Sequence, residues 1–225
     1  MPILGLGSSL TGGAIAEGPF VNTYGVSVDG TNDQVDIAYD SSLKPLTYIT
    51  VAGWAYPTSH KLWSKLACFA WASSGWSAPY SAWSLTLDNG SVGNGKPMWE
   101  MATPETEDFS GSTHGSGGNA WIRITSDTAL NTDEWSHIAA TYDGSDTRLY
   151  VNGSETATAS RTGAIHYNAN ESVTLGGGAD YQNQDMFVGY LDEIAVWDVA
   201  LSADDITAIY NSGAPTDLTK AASYD

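Results

Sequence analysis

Phe187-Val-Gly-Tyr-Leu-Asp-Glu-Ile-Ala-Val-Trp197, followed by Ala200-Leu-Ser-Ala-Asp-Asp-Ile-Thr-Ala-Ile-Tyr210-Asn-Ser-Gly213, reads as a strand of alternating apolar residues running into a short capped helix. The alternation slips once. Leu191 and Ile194 share a face at the strand period of two only if a bulge lies between them, on Asp192-Glu193. Such a bulge frees a backbone carbonyl beside a carboxylate, one way in which a sheet edge holds a hard cation. In the helix, Ser202 as N-cap with Asp205 three residues on forms a capping box, and Asp204 and Asp205 complement the dipole. Ile206, Ile209 and Tyr210 make the apolar stripe and Gly213 ends it, so the helix is expected to close one edge of a sheet structure.

Outward from this segment, Tyr24–Val28, Gln34–Ile37, Thr47–Tyr56, Ser81–Leu87, Trp121–Ser126, Trp135–Tyr142, Arg148–Val151 and Val173–Leu175 alternate at period two. Many short strands bounded by turn residues predict an all-β sandwich. Asn152-Gly153 between Leu149-Tyr-Val and Glu155-Thr-Ala predicts a tight hairpin, and Asn89-Gly90 predicts another. Pro104–Asn119 has no strand character and reads as a loop.

The chain of 225 residues is long enough for one large β domain with a substantial core. Its single cysteine, Cys68, reads as a small core residue and leaves no intrachain disulfide, which favours a reducing compartment. With 26 acidic residues against 8 Lys and Arg, a formal charge of −18 argues against nucleic acid and anionic membranes as partners. The apolar, glycine-rich start lacks the basic residues of a secretory signal, and no run reaches transmembrane length. Residues 1–19 therefore read as an arm that docks on something larger or lies across its own domain. Residues 20–215 form the domain, with an aromatic-rich insertion around 57–120, and 216–225 a tail.

Four motifs, in order, resemble the laminin-G-like (concanavalin A-like) jelly roll. Ser27-Val-Asp-Gly-Thr-Asn-Asp-Gln-Val35 is similar to its opening turn and Thr50-Val-Ala-Gly-Trp54 to its first long strand. Glu134-Trp-Ser-His-Ile-Ala-Ala-Thr-Tyr-Asp-Gly144 with Arg148-Leu-Tyr-Val-Asn-Gly153 is similar to its central hairpin, and Gly189-Tyr-Leu-Asp-Glu-Ile194 with Ala200-Leu-Ser202 to its closing strand and helix. The resemblance implies an all-β jelly-roll β-sandwich with one short C-terminal helix. The start Met1-Pro-Ile-Leu-Gly-Leu-Gly-Ser-Ser-Leu10, the strand Val21-Asn-Thr-Tyr-Gly-Val-Ser27 and then Asp29-Gly-Thr-Asn-Asp33 are further similar to the openings of laminin-G-like virion proteins of marine tailed phages. That implies a capsid decoration or tail- or fibre-associated subunit, assembled in the host cytoplasm and partnered by other virion proteins. Homo-oligomerisation suits such a subunit, but no heptad seam specifies it. The alternative is a carbohydrate-binding lectin or adhesin domain that meets a host-surface glycan.

The resemblance also implies a structural calcium at Asp192, its other half supplied by Asp29, Asn32 and Asp33, since calcium takes six to eight oxygens. The competing reading is that Asp29 and Asn32 build an Asx turn and Asp192 satisfies local amides. Asp180 and Asp185 are weaker candidates for a second rim site. Trp54, Trp83, Trp121 and Trp135, on alternating strands, read as core, whereas Trp76 and Tyr80 in Ser73-Ser-Gly-Trp-Ser-Ala-Pro-Tyr80 read as a loop that contacts a ligand or partner. The E-x-D-x-E strand of glycoside hydrolases with this architecture is absent, the four histidines show no metal spacing, and no Gly-x-Ser-x-Gly appears, so no enzyme is expected.

Overall fold

In the computed structural model, the described residues are 4–5, 22–70, 81–87, 94–103, 120–167, 171–178, 185–214 and 218. They form two antiparallel sheets and one α-helix. The first sheet contains β1 (Leu4–Gly5), β2 (Val26–Asp29), β4 (Ile49–Pro57), β9 (Ser136–Tyr142), β10 (Asp146–Val151), β11 (Ser154–Ser160) and β13 (Val188–Trp197). Its order is β1-β13-β4-β9-β10-β11, and β2 continues β1 along the same edge of β13. The second sheet runs β3 (Val35–Ile37), β12 (Val173–Leu175), β5 (Lys65–Ala70), β6 (Ser81–Leu87), β7 (Pro97–Thr103) and β8 (Ala120–Thr125). Leu66, Phe69, Trp83, Leu85 and Trp99 of the second sheet pack between the sheets against Ile49, Val51, Ile138 and Leu149 of the first.

The bulge lies where the apolar slip places it. Asp192 pairs with Trp54 and Ala195 with Ala52, three steps on β13 against two on β4, and Glu193 takes a φ of 47°. Leu191, Ile194 and Val196 consequently all face the core. The slip also pushes Ile194 against β4, where Gly53 makes room: a Cβ there would stand 2.2 Å from Ile194 Cδ1. Between β10 and β11, Asn152 and Gly153 have φ of 49° and 77°, the geometry of the expected hairpin turn.

Two features differ from the sequence reading, and a third agrees with one of its alternatives. The helix α1 (Ala203–Tyr210) does not close an edge but lies on the outer face of the first sheet. Ala195, Ala52 and Ala139 pair in register across β13, β4 and β9, and this row of small side chains makes the floor on which Leu201, Ile206 and Ile209 pack. Residues 57–120, read as an insertion, supply β5, β6 and β7, half of the second sheet. Leu4 and Gly5 pair with Val196 and Ala195, so this part of the arm lies across its own domain. Asn89-Gly90 and all of Pro104–Asn119 lie outside the described residues.

Candidate binding site on the outer face of the first sheet

Residues paired across an antiparallel sheet share a face. The alanine row under α1 is therefore followed, past the bulge, by Asp192, Trp54 and His137, and then by Tyr190 and Tyr56. The helix leaves this second half of the face uncovered. Trp135, just before β9, meets Tyr56 edge-on at 5.5 Å between ring centroids, and Tyr190 does so at 5.7 Å. Residues 22–25, leading into β2, cross the edge beside the bulge. The result is an open pocket of about 300 Å³ lined by residues including Asn22, Tyr24, Trp54, Trp135, Asp192 and Glu193. Trp54 is 7% exposed, Trp135 40% and Tyr24 85%, so one wall is packed and two are free to meet a ligand.

At the back of the pocket, Asn22 Nδ2 donates to Asp192 Oδ2 at 2.7 Å and to Glu193 Oε1 at 3.3 Å. The Glu193 N–H donates to Asp192 Oδ1 at 2.8 Å. Burial raises the Asp192 carboxyl above the usual carboxylate range, and the bonds from Asn22 and the Glu193 amide offset part of that rise. Asp192 accepts one of these bonds on each oxygen, and each carboxylate oxygen has a second lone pair.

His137 holds the Trp54 wall from behind, with ring centroids 5.3 Å apart and edge-on, and Tyr210 at the end of α1 flanks both rings. Burial lowers the His137 imidazole from 6.5 to about 4. Between these values the unfolded chain binds a proton that the folded chain does not, so the stability contributed by neutral His137 is complete above pH 6.5 and declines as pH falls toward 4. The expected loss is about 3 kcal/mol, read by urea unfolding across this range, and replacement of His137 by Gln should flatten the profile. An unchanged profile in the variant refutes the assignment.

The residues expected to hold calcium are not brought together. Asp29 pairs with Val188, four positions along β13 from Asp192, a separation of about 13 Å at the strand rise. Asp29 Oδ1 accepts from the Thr31 N–H at 2.7 Å and the Asn32 N–H at 3.3 Å, and Asp33 Oδ2 accepts from the Asp29 N–H at 3.2 Å. This is the Asx turn, and it draws the Asp29 carboxyl below its ordinary range. Among the described residues no cluster of three or more His, Cys, Asp or Glu fits a metal ion. Asp185 is buried and paired with Lys65 at 3.4 Å, not on a rim. Trp76, Tyr80 and Asp180 lie outside the described residues. Trp54, Trp83 and Trp121 are buried as expected, but Trp135 is not a core residue: it precedes β9 and escapes the alternation of that strand. Asn22, the partner of Asp192, was not singled out from the sequence. A separation of 170 positions along the chain leaves no local signal of their contact.

A family model described as the concanavalin A-like lectin/glucanases superfamily matches residues 29–207. No curated protein matches the chain in sequence. Among solved structures, the sialidase CBM40 of Ruminococcus gnavus, bound to α2,3-sialyllactose, superposes with a TM-score of 0.61 at 17% identity over 84% of this chain and 97% of its own. Domain 4 of the arabinanase AbnA of Geobacillus stearothermophilus, in complex with arabinotriose, gives 0.55 at 17% identity over 88% and 82%. The binding domain of Paraclostridial Mosquitocidal Protein 1 gives 0.56 at 19% identity over 84% of this chain but 43% of that one. At these identities the likeness is one of fold. The family match, covering well over half of the length, carries more: the chain belongs to the Laminin_G_3 family of the concanavalin A-like superfamily.

Proposed function

We propose that the chain is a non-catalytic carbohydrate-binding module whose ligand enters the pocket between residues 22–25 and the Trp54–Trp135 wall. One observation carries the reading: a stretch of sheet face that the helix leaves uncovered joins aromatic walls to a carboxylate pair and an amide in one cavity. A pyranose offers aromatic rings an apolar C–H face and offers carboxylates and amides its rim of hydroxyls. The fold neighbours bound to sialyllactose and arabinotriose support the same class of ligand. Asp192 and Glu193 share one amide donor instead of flanking a cleft as a hydrolytic pair does, which supports binding without catalysis.

The chain is expected to bind oligosaccharides on a glycan array, and Trp135→Ala to weaken that binding about tenfold or more while leaving the melting temperature unchanged. A wild-type chain that binds no glycan, or a variant that binds as well as wild type, defeats the proposal. Display of this module on a phage particle, where it would meet host-surface glycans and neighbouring virion proteins, is a finer reading supported by the resemblance of the opening motifs between Met1 and Asp33. Mass spectrometry of purified particles tests it: a stoichiometric copy number is expected, and absence from particles overturns it.

A further inference from the structure

On the carbohydrate-binding reading, we infer that the pocket takes the terminal unit of a saccharide chain and excludes the same unit when it lies inside a chain. The floor is the Asp192–Trp54 pair, and it is stopped at both ends along the strands. At one end Trp135 reaches residues 22–25: its Cη2 would stand 3.7 Å from a Cβ on Gly25, and both residues line the pocket. At the other end Tyr210 meets Trp54 with ring centroids 5.8 Å apart, and Gly213, just past the helix, lines the same cavity. The side toward the edge of β13 is shut by Asn22, whose Nδ2 donates to Asp192 Oδ2 at 2.7 Å. The opposite side is filled by His137, buried against Trp54 and Tyr210. What stays open is the mouth away from the sheet, beside the exposed Tyr24.

A unit inside a chain needs two exits, one for each neighbour, and this cavity offers one. A volume of about 300 Å³ lies at the low end for small-molecule pockets and suits about one or two sugar units. The chemistry of the floor points the same way, independently of its shape. Trp54 lines the pocket at 7% exposure, and its indole N–H has no hydrogen-bond partner among the described residues. Facing it in register, Asp192 accepts one bond on each oxygen and has a second lone pair on each. A hydroxyl accepts from an indole and donates to a carboxylate at once. A terminal unit carries a free hydroxyl where an interior unit carries its glycosidic link, so capping removes the donor and sets an ether oxygen against the partly buried carboxylate. A site built to bond a hydroxyl rejects the analogue that lacks it, because its own polar groups are then left unmatched.

A glycan array of matched pairs tests the inference on the full chain. Glucose, galactose, mannose, N-acetylglucosamine, fucose, arabinose and sialic acid are each presented once as the terminal unit and once capped by a further sugar. Binding is expected to the uncapped member of a pair and to fall about tenfold or more in its capped counterpart. Isothermal titration should then give short and long chains ending in that unit affinities within about threefold of each other, because units beyond the mouth add few contacts. Trp54→Phe keeps an aromatic floor, removes the donor and should weaken the uncapped member about threefold to tenfold. The paired comparison on the wild-type chain decides the matter even where that variant loses stability. Equal binding of capped and uncapped members, a steady gain with chain length, or unchanged binding by a folded Trp54→Phe chain overturns end recognition and leaves carbohydrate binding standing. A chain that binds no member of any pair overturns both readings.

Discussion

Gly189→Ala is expected to destabilise the chain by about 4 kcal/mol or more and to lower its melting temperature by about 10 °C or more. Gly189 has a φ of 137°, and a Cβ on it would stand 2.0 Å from the Tyr56 carbonyl oxygen and 3.1 Å from Pro57 Cα. These are backbone atoms of the neighbouring strand and cannot swing aside as a side chain does. The backbone region is itself nearly closed to side-chain-bearing residues. Relief requires β13 to move from β4, which would separate Tyr190 from Tyr56 and shift the Asp192–Trp54 row of the pocket. Gly163→Ala separates strain from collision: its φ is 107°, but nothing lies within 4 Å of a Cβ there. It should cost only about 1–2 kcal/mol. A Gly189→Ala chain that melts no lower than Gly163→Ala removes the claim that β4 and β13 are held at this approach.

The closing strand was legible because an amphipathic strand records its own irregularities. Leu191 and Ile194 are both core residues three positions apart, and a single extra residue reconciles them. The same logic failed for Lys65–Ala70 and Pro97–Thr103, which are buried on both faces. With Cys68, Ala70, Met98 and Ala102 turned one way and Leu66, Phe69, Trp99 and Met101 bearing on the core, no polar–apolar alternation remained to read. The candidate site was legible in one residue. Asp192 stood out through the bulge, whereas Asn22 and Trp135 reach it through pairing between distant segments. Asp29, Asn32 and Asp33 stand close in sequence and make a local turn, a competing use of the same side chains that chain proximity favours.

The uncovered half of one outer face has a counterpart on the other sheet that is not open at all. Thr174, Cys68, Ser84, Glu100 and Arg123 pair in register across β12, β5, β6, β7 and β8, and the first four are buried. A buried polar row is stable only when each member is satisfied. Cys68 Sγ lies 3.0 Å from Thr174 Oγ1, and Ser84 Oγ donates to Glu100 Oε2 at 3.2 Å. The charge at the end of the row rests on Arg123, whose Nε donates to Glu100 Oε1 at 2.7 Å while its guanidinium lies 4.7 Å from the Trp63 ring centroid and 4.4 Å from that of Trp121.

Arg123→Met keeps the apolar stem and removes the cation, leaving the Glu100 carboxylate buried with Ser84. The expected cost is about 3–5 kcal/mol, because an ion deprived of its buried partner retains its desolvation penalty without the attraction that offset it. Pairing that change with Glu100→Gln removes the stranded charge, so the double variant should recover most of the loss and come within about 1–2 kcal/mol of wild type. Urea unfolding of the two single variants and the double distinguishes this coupling from simple loss of packing. If the double variant is no more stable than Arg123→Met alone, the guanidinium contributes through its contacts with Trp63 and Trp121, and the Glu100 pair does not govern the stability of this face.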